Sequence, residues 1–323
     1  QPDISMQCAI QPLDHPDFVE NFLTNWQPSA AIFLESDFWP NLILRTKQRG
    51  VPVIFASSQL SEKTTASWMK HPLVAKPMFT AADLILTVDL QQADQFRALI
   101  GTPKTMPQIQ VIGSLKLPDR QQQDPLFQAI LKKAVAGRRV FLAASTHDGE
   151  DQIMIDVARE LGSGWLTIIA PRHPNRGDEI ATRADQAPQR SRGAIPDKCT
   201  SIYIMDSLGE MGTLLSLADY VFLGGSLVSS GGHNPLEPAD FGLPIFTGTH
   251  IFKNKAEFDG LAHAGVVFEV TDAAAITRMI RHFEGNPARR ANLTKAAQDY
   301  VTMAHQRIDL AAMAIEQILN TQK

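Results

Sequence analysis

The chain has 323 residues, 44% of them hydrophobic and 20% charged, with a formal net charge of −4. It can bury a sizeable core and, at roughly 150 residues per domain, it should form two domains. The balance of charge argues against a nucleic-acid binder held by bulk electrostatics, and no run approaches the ~18–20 apolar residues of a membrane span.

Cys8 and Cys199 match no metal spacing and read as structural thiols of a reducing compartment. The opening "QPDISMQCAI" lacks an initiator Met and a basic-then-apolar signal pattern, and it reads as the middle of a longer sequence.

In chain order, short apolar runs bounded by turn residues alternate with helical patterns, which is an α/β signature. The first part predicts strands over 30–36, 51–58, 84–89 and 109–114, with helices near 15–25, 39–49, 72–82 and 90–100. Trp39 and Pro40 open and pack the second of these helices. The segment 115–137 is rich in Gln, Asp, Pro and Lys and carries no strand, so it reads as a linker. Six further strands are predicted at 139–145, 165–171, 201–206, 220–225, 244–248 and 266–270. Their near-continuous apolar character fits a parallel sheet covered on both faces. The domains expected are therefore 1–114, linker 115–137, 138–300, and a C-terminal helix 301–323. Four strands are few for a doubly wound unit, so the first domain reads as incomplete.

Ligands of such sheets bind beyond the carboxyl ends of the strands. After the strand 139–145, Ser145 or Thr146 can cap a helix whose first turn carries Asp148, Glu150 and Asp151; these acids are either functional or simply matched to the helix dipole. After the next strand, "PRHPNR" holds Arg172, His173 and Arg176 between stiffening prolines, where a guanidinium suits a phosphate or carboxylate unless it is mere surface charge. "SLGEMG", 207–212, then leads into a helix.

The stretch "GGSLVSSGGHNPLEPADFGLPIFTG", 224–248, is the most unusual. Gly231 and Gly232 permit close backbone approach, and a helix starting near Asn234 would present free N–H groups to a phosphate. Glu237, one turn in, can accept hydrogen bonds from a ribose, with His233 beside it; the plainer alternative makes them a first-turn acid and a loop side chain. Together these features suggest nucleotide-sugar chemistry.

"LESDFWPNL", "VIGSLKL", "ASTHDGEDQIMI", "APRHPNR", "MDSLGEM" and the 224–248 run, in this order, resemble the 3-deoxy-D-manno-octulosonic acid (Kdo) transferases of Gram-negative bacteria. The resemblance runs from about residue 30 to the C-terminus, and "GGHNPLEP" is its most specific part. It implies a GT-B fold of two Rossmann-like domains facing across a cleft, the first truncated here, with the C-terminal helix returning toward the first. It also implies transfer of Kdo from CMP-Kdo to lipid IV-A in lipopolysaccharide synthesis, with inversion and with neither metal nor cofactor. The enzyme would work at the cytoplasmic face of the bacterial inner membrane through peripheral contact.

Carried onto this chain, the resemblance makes Arg172 and His173 a donor-contacting pair and the turn from Ser145 through Thr146 to Gly149 a donor-side loop. It sets Gly209 and Met211 beside the cytidine, Gly231, Gly232, His233 and Asn234 around the donor, and Glu237 on the ribose. Asn254 matches a family asparagine, although Lys255 replaces the Phe that follows it. Lys255 also reads as a further cation for the donor charge. The family's base, a Glu in a Ser-x-Gly-Glu stretch, is expected upstream of residue 1. The copy at Ser207–Glu210 lies in the donor domain and is not promoted to that role. Glu35 and Asp37 are acceptor-side candidates. Gln59 stands where the family has an Arg, which leaves Lys63 and Lys70 to compensate. Two alternatives remain: a donor-binding module without turnover, and a GT-B enzyme using a UDP-sugar.

Overall fold

The computed structural model describes residues 6–119 and 122–321. Expectations that touch 1–5, 120–121 and 322–323, including the opening residues and the last two of the C-terminal helix, lie outside the described residues. The chain divides into two compact units. One runs to Lys116 and resumes at Ala304; the other is Leu117–Met303.

In the first unit, β1 (Ala31–Leu34), β2 (Val53–Ser58), β3 (Leu84–Thr87) and β4 (Gln108–Val111) pair in parallel in that order. Because side chains alternate along a strand, β2 sends Val53 and Phe55 to one face and Ile54 and Ala56 to the other. The first face packs against Phe38, Phe79 and Phe96, and the second against Ala311 and Ile318 of the C-terminal helix Pro287–Thr321.

In the second unit, β5 (Arg139–Thr146), β6 (Trp165–Pro171), β7 (Ile202–Ile204), β8 (Tyr220–Leu223), β9 (Ile245–Thr247) and β10 (Val267–Glu269) form one parallel sheet ordered β10-β9-β8-β5-β6-β7. Counted within the unit, this is the doubly wound order of a Rossmann fold. Val140, Leu142 and Ala144 of β5 enter one core layer, and Phe141 and Ala143 the other. Both faces are covered, which is why these strands read as unbroken apolar runs. The α/β class and the two Rossmann-like sheets are those expected of a GT-B type chain.

The segment 115–137 is not a linker. Asp124 caps the helix Pro125–Val135 by accepting from the Leu126 and Phe127 N–H groups, and Pro125 stands at the first helical position. Phe127 and Leu131 from that helix lie in the core layer of Val140 and Leu166, while Leu126 is 73% exposed. Its polar composition describes only the outward face. Leu131→Ala should therefore cost about 2–5 kcal/mol, and Leu126→Ala less than about 0.5 kcal/mol, read from denaturant melts of the two variants. Equal and negligible losses would return the segment to a linker.

Candidate functional site

The order of the second sheet reverses between β5 and β8, and beyond their carboxyl ends lies the place where such sheets bind ligands. β5 shifts register there, between Ala144 and Thr146, with Ser145 at φ 55. Gly224, at the end of β8, presses against this shift: its N–H donates to the Ala144 carbonyl at 2.8 Å, and a Cβ on it would fall 2.3 Å from the Ser145 carbonyl oxygen. Only glycine lets the two strand ends come so close.

A cavity of about 310 Å³ opens at this crossing, lined by Asp119, Ser145, Arg172, Met211, His233, Asn234 and Glu237 among others. A smaller one of about 100 Å³ shares Ser145, Arg172 and Met211 and adds the turn Ser207–Glu210, including Gly209. The structure thus brings Ser145, Arg172, Gly209, Met211, His233, Asn234 and Glu237 together from the ends of four strands.

His147, His173 and His233 cluster beside Arg172. The His147 and His233 rings stack at 5.3 Å with their Nε2 atoms 3.0 Å apart, and His173 stands edge-on to His147 at 6.1 Å. Two ring nitrogens at hydrogen-bonding distance require one donor and one acceptor, so the accepting ring is neutral. The Ser230 hydroxyl, 3.3 Å from His147 Nδ1, fits a tautomer in which His147 donates through Nε2. Burial, and then the positive surroundings of His147, Arg172, Lys253 and His173, push His233 down to about 4. Burial also lowers His147, against the pull of Glu150. At the acidic side of the cavity, burial and then the neighbouring Asp119 raise Glu237 to about 7.

Several expected roles change. The Thr146 side chain is buried, and its hydroxyl donates to Asp151 Oδ1 at 2.7 Å, so it cannot serve a ligand. Gly149, at φ 92, makes the turn in which the Glu150 N–H donates to the His147 carbonyl, and it lines neither cavity. Gly231 and Gly232 make room for protein rather than ligand: a Cβ on Gly231 would meet Lys253 and Phe252 at 2.7–2.8 Å, and one on Gly232 would meet Phe258 at 3.1 Å. Asn254 braces that loop by donating to the Gly232 carbonyl. Lys255 pairs with Asp259 on its own helix at 2.6 Å, and the cation near His233 is Lys253 instead.

The helix expected at Asn234 is the short Leu236–Asp240. Pro235 and Pro238 carry no N–H, and the Leu236 N–H is held by Asn234 Oδ1 at 3.1 Å, so three of its four initial donors are out of use. Phosphate binding by this helix end is thus not supported, and Arg172 is the guanidinium that lines the cavity.

Arg176 faces Asp151 and Asp148 in ion pairs. Glu210 is clasped by Arg190, its Oε1 2.7 Å from Nη2, and by the Ser207 hydroxyl, which removes it from acid–base work. In the first unit, Glu35 and Asp37 line a separate cavity of about 540 Å³ with Ser57 and Lys116; Lys116 Nζ is 3.6 Å from Glu35, and Trp39 donates to Asp37 at 2.9 Å.

Three groups escaped the sequence reading as individuals: His147, Asp119 and Lys253. His147 had a signal, since it leaves β5 as Arg172 leaves β6. Asp119 had none, because the path of the chain alone brings it to Glu237.

His233 and Glu237 imply opposite pH dependences of stability. A His233 value of about 4, below the ordinary 6.5, gives stability that is full above pH 6.5 and lost as pH falls toward 4. A Glu237 value of about 7, above the ordinary 4.5, gives stability that is full below pH 4.5 and lost as pH rises through 7. Melts across pH 4–8 should show His233→Gln flattening the acid limb and Glu237→Gln the neutral one; unchanged limbs would refute these assignments.

Residues 2–118 match the family model of 3-deoxy-D-manno-octulosonic-acid transferase (kdotransferase). The chain is 31% identical over 299 residues to the 3-deoxy-D-manno-octulosonic acid transferase of Haemophilus influenzae, covering 89% of this chain and 69% of that protein. It is 30% identical over 314 residues to the enzyme of the same name from Bordetella pertussis, covering 93% and 71%. Among solved structures, the C-terminal CMP-Kdo binding domain of WaaA from Acinetobacter baumannii matches with TM-score 0.51 and 27% identity, over 55% of this chain and 96% of that one. A UDP-GlcNAc 2-epimerase from Neisseria meningitidis shares the fold at TM-score 0.55 and 10% identity, over 90% and 79%.

Proposed function

The chain belongs to the 3-deoxy-D-manno-octulosonic acid transferase family of glycosyltransferases, and we propose that its second unit holds CMP-Kdo, from which Kdo passes to lipid IV-A in lipopolysaccharide synthesis. The observation that carries this reading is one cavity at the β5–β8 crossing that joins Arg172 to Glu237, in a unit resembling a CMP-Kdo binding domain.

The residues divide the donor between them. Arg172 meets the phosphate with its guanidinium fork, and His233 can add an N–H donor, whereas His173 lines neither cavity and stands edge-on to His147. Glu237 and Asn234 take the ribose hydroxyls, and the turn at Gly209 and Met211 takes the base. In an inverting transfer, the anomeric carbon's bond to the phosphate oxygen breaks while its bond to the acceptor oxygen forms, and the acceptor proton passes to a base. The departing CMP gains negative charge, and Arg172 beside a ring of imidazoles is placed to stabilise it in the role a metal ion fills elsewhere. The reading gives the base to no described residue: Glu210 is clasped by Arg190, Glu35 is paired with Lys116, and Asp37 accepts from Trp39. Glu35 and Asp37 stay on the acceptor side.

No helix among the described residues is long and apolar enough to cross a membrane. A lipid acceptor then calls for peripheral contact, which we place at the cytoplasmic face of the inner membrane.

Calorimetric titration with CMP and with UDP tests the donor assignment. CMP should bind and UDP should not. Arg172→Ala and Glu237→Ala should each weaken CMP by at least about tenfold, or ~1.4 kcal/mol. Equal binding of both nucleotides, or affinity indifferent to both substitutions in a folded protein, would overturn it.

A further inference from the structure

The candidate donor cavity is walled by loops from different strands, and one acid sits where two of them meet. We propose that Glu150 is the positioning residue of this site: its carboxylate ties the β5 loop to the β8 loop and thereby holds His147 against His233. The proposal rests on the donor reading above.

Glu150 is fully buried, and its two oxygens accept four backbone N–H groups. Oε2 takes His147 at 2.8 Å and Gly225 at 2.8 Å; Oε1 takes Ser226 at 3.0 Å and Leu227 at 2.9 Å. That fills the roughly four lone-pair sites of an ionised carboxylate. A plain capping acid would accept from its own helix two or three residues on. Glu150 stands at the N-cap of the helix Asp151–Leu161 yet makes no such bond, reaching instead across to the end of β8.

Both imidazoles hang from this one group. His147 is held through its own N–H. His233 is held one step removed, because the Gly232 N–H donates to the carbonyl of Gly225, whose N–H is on Glu150. Ser226 is fixed further by its hydroxyl, which donates to the Leu223 carbonyl and accepts from the Gly248 N–H. A glutamine here would offer one oxygen and turn an NH₂ toward N–H donors, so the two loops would part without any loss of volume.

The test is Glu150→Gln, accepted for study if it melts cooperatively. Its CMP dissociation constant should rise at least tenfold. The ¹⁵N-imidazole signals of His147 and His233, flanked by Arg172, His173, Arg176, Lys253 and Glu150 itself, should lose their coupling, and His233, freed from burial and from the neighbouring ring, should titrate nearer 6.5. CMP affinity within twofold of the unmodified chain, together with unchanged imidazole titrations, would overturn the proposal. Where the variant fails to fold, amide exchange in the unmodified chain decides. The His147, Gly225, Ser226 and Leu227 amides should exchange slowly and as a group, and slow further with CMP, whereas independent exchange at open-loop rates would sink the idea. An unmodified chain that ignores CMP would overturn the donor reading, while the imidazole and amide signatures would still decide the role of Glu150.

Discussion

The parallel pairing of β5 with β8 is the constraint on which the second unit depends. Parallel neighbours cannot be joined by a hairpin, so the chain leaves β5, winds through β6 and β7 on one side, and returns to β8 on the other. Every connection must then run over a face of the sheet, which covers both faces and makes the strands apolar throughout. At the crossing the outgoing loops diverge and leave a crevice that no side chain of the sheet fills. Ser145 at positive φ and the bare Gly224 let the two strand ends meet closely enough to shape it.

Divergent loops also create a backbone debt. The N–H groups of Gly225, Ser226 and Leu227 lie past the end of β8 with no strand to bond, in a place largely closed to water, and an unpaired buried N–H is costly. Glu150 answers all three with one carboxylate, whose own burial would be prohibitive without them. The same logic runs through Asp151, which takes the Thr146 hydroxyl and pairs with Arg176. Of the three acids that open the helix after β5, two are thus spent inside the protein, and Asp148 is the exposed one.

Much of this was legible in the sequence, for identifiable reasons. The ten strands of the described residues could be read because β-branched and aromatic runs of four to eight residues, cut by turn residues, leave little else for the chain to form. The helix Glu62–Met69 could not be read, since it buries no residue and has no apolar stripe to betray it. The helix Pro125–Val135 was hidden by polar neighbours, although Asp124-Pro125 is a start signal. That Arg172, His233 and Glu237 would share one cavity was legible because each lies in the segment that follows a strand end. The true duties of Thr146, Gly231, Gly232 and Glu150 are set by partners 5 to 77 residues away, and spacing carries no trace of such pairings.

The charge pattern of the cavity bears on what can occupy it. Arg172 makes one side positive, while Glu237 and Asp119 make the other acidic. A nucleoside monophosphate has the matching polarity, an anion at one end and hydroxyl donors near the other. Burial first, and then the neighbouring positive groups, favour the neutral forms of His233 and His147, so the site avoids an uncompensated buried charge. An arriving phosphate reverses the balance for the same imidazoles, since an opposite charge within a few ångströms favours their protonated form. Under the proposed donor reading, a pair 3.0 Å apart can share one added proton between two rings and so spread positive charge toward the phosphate.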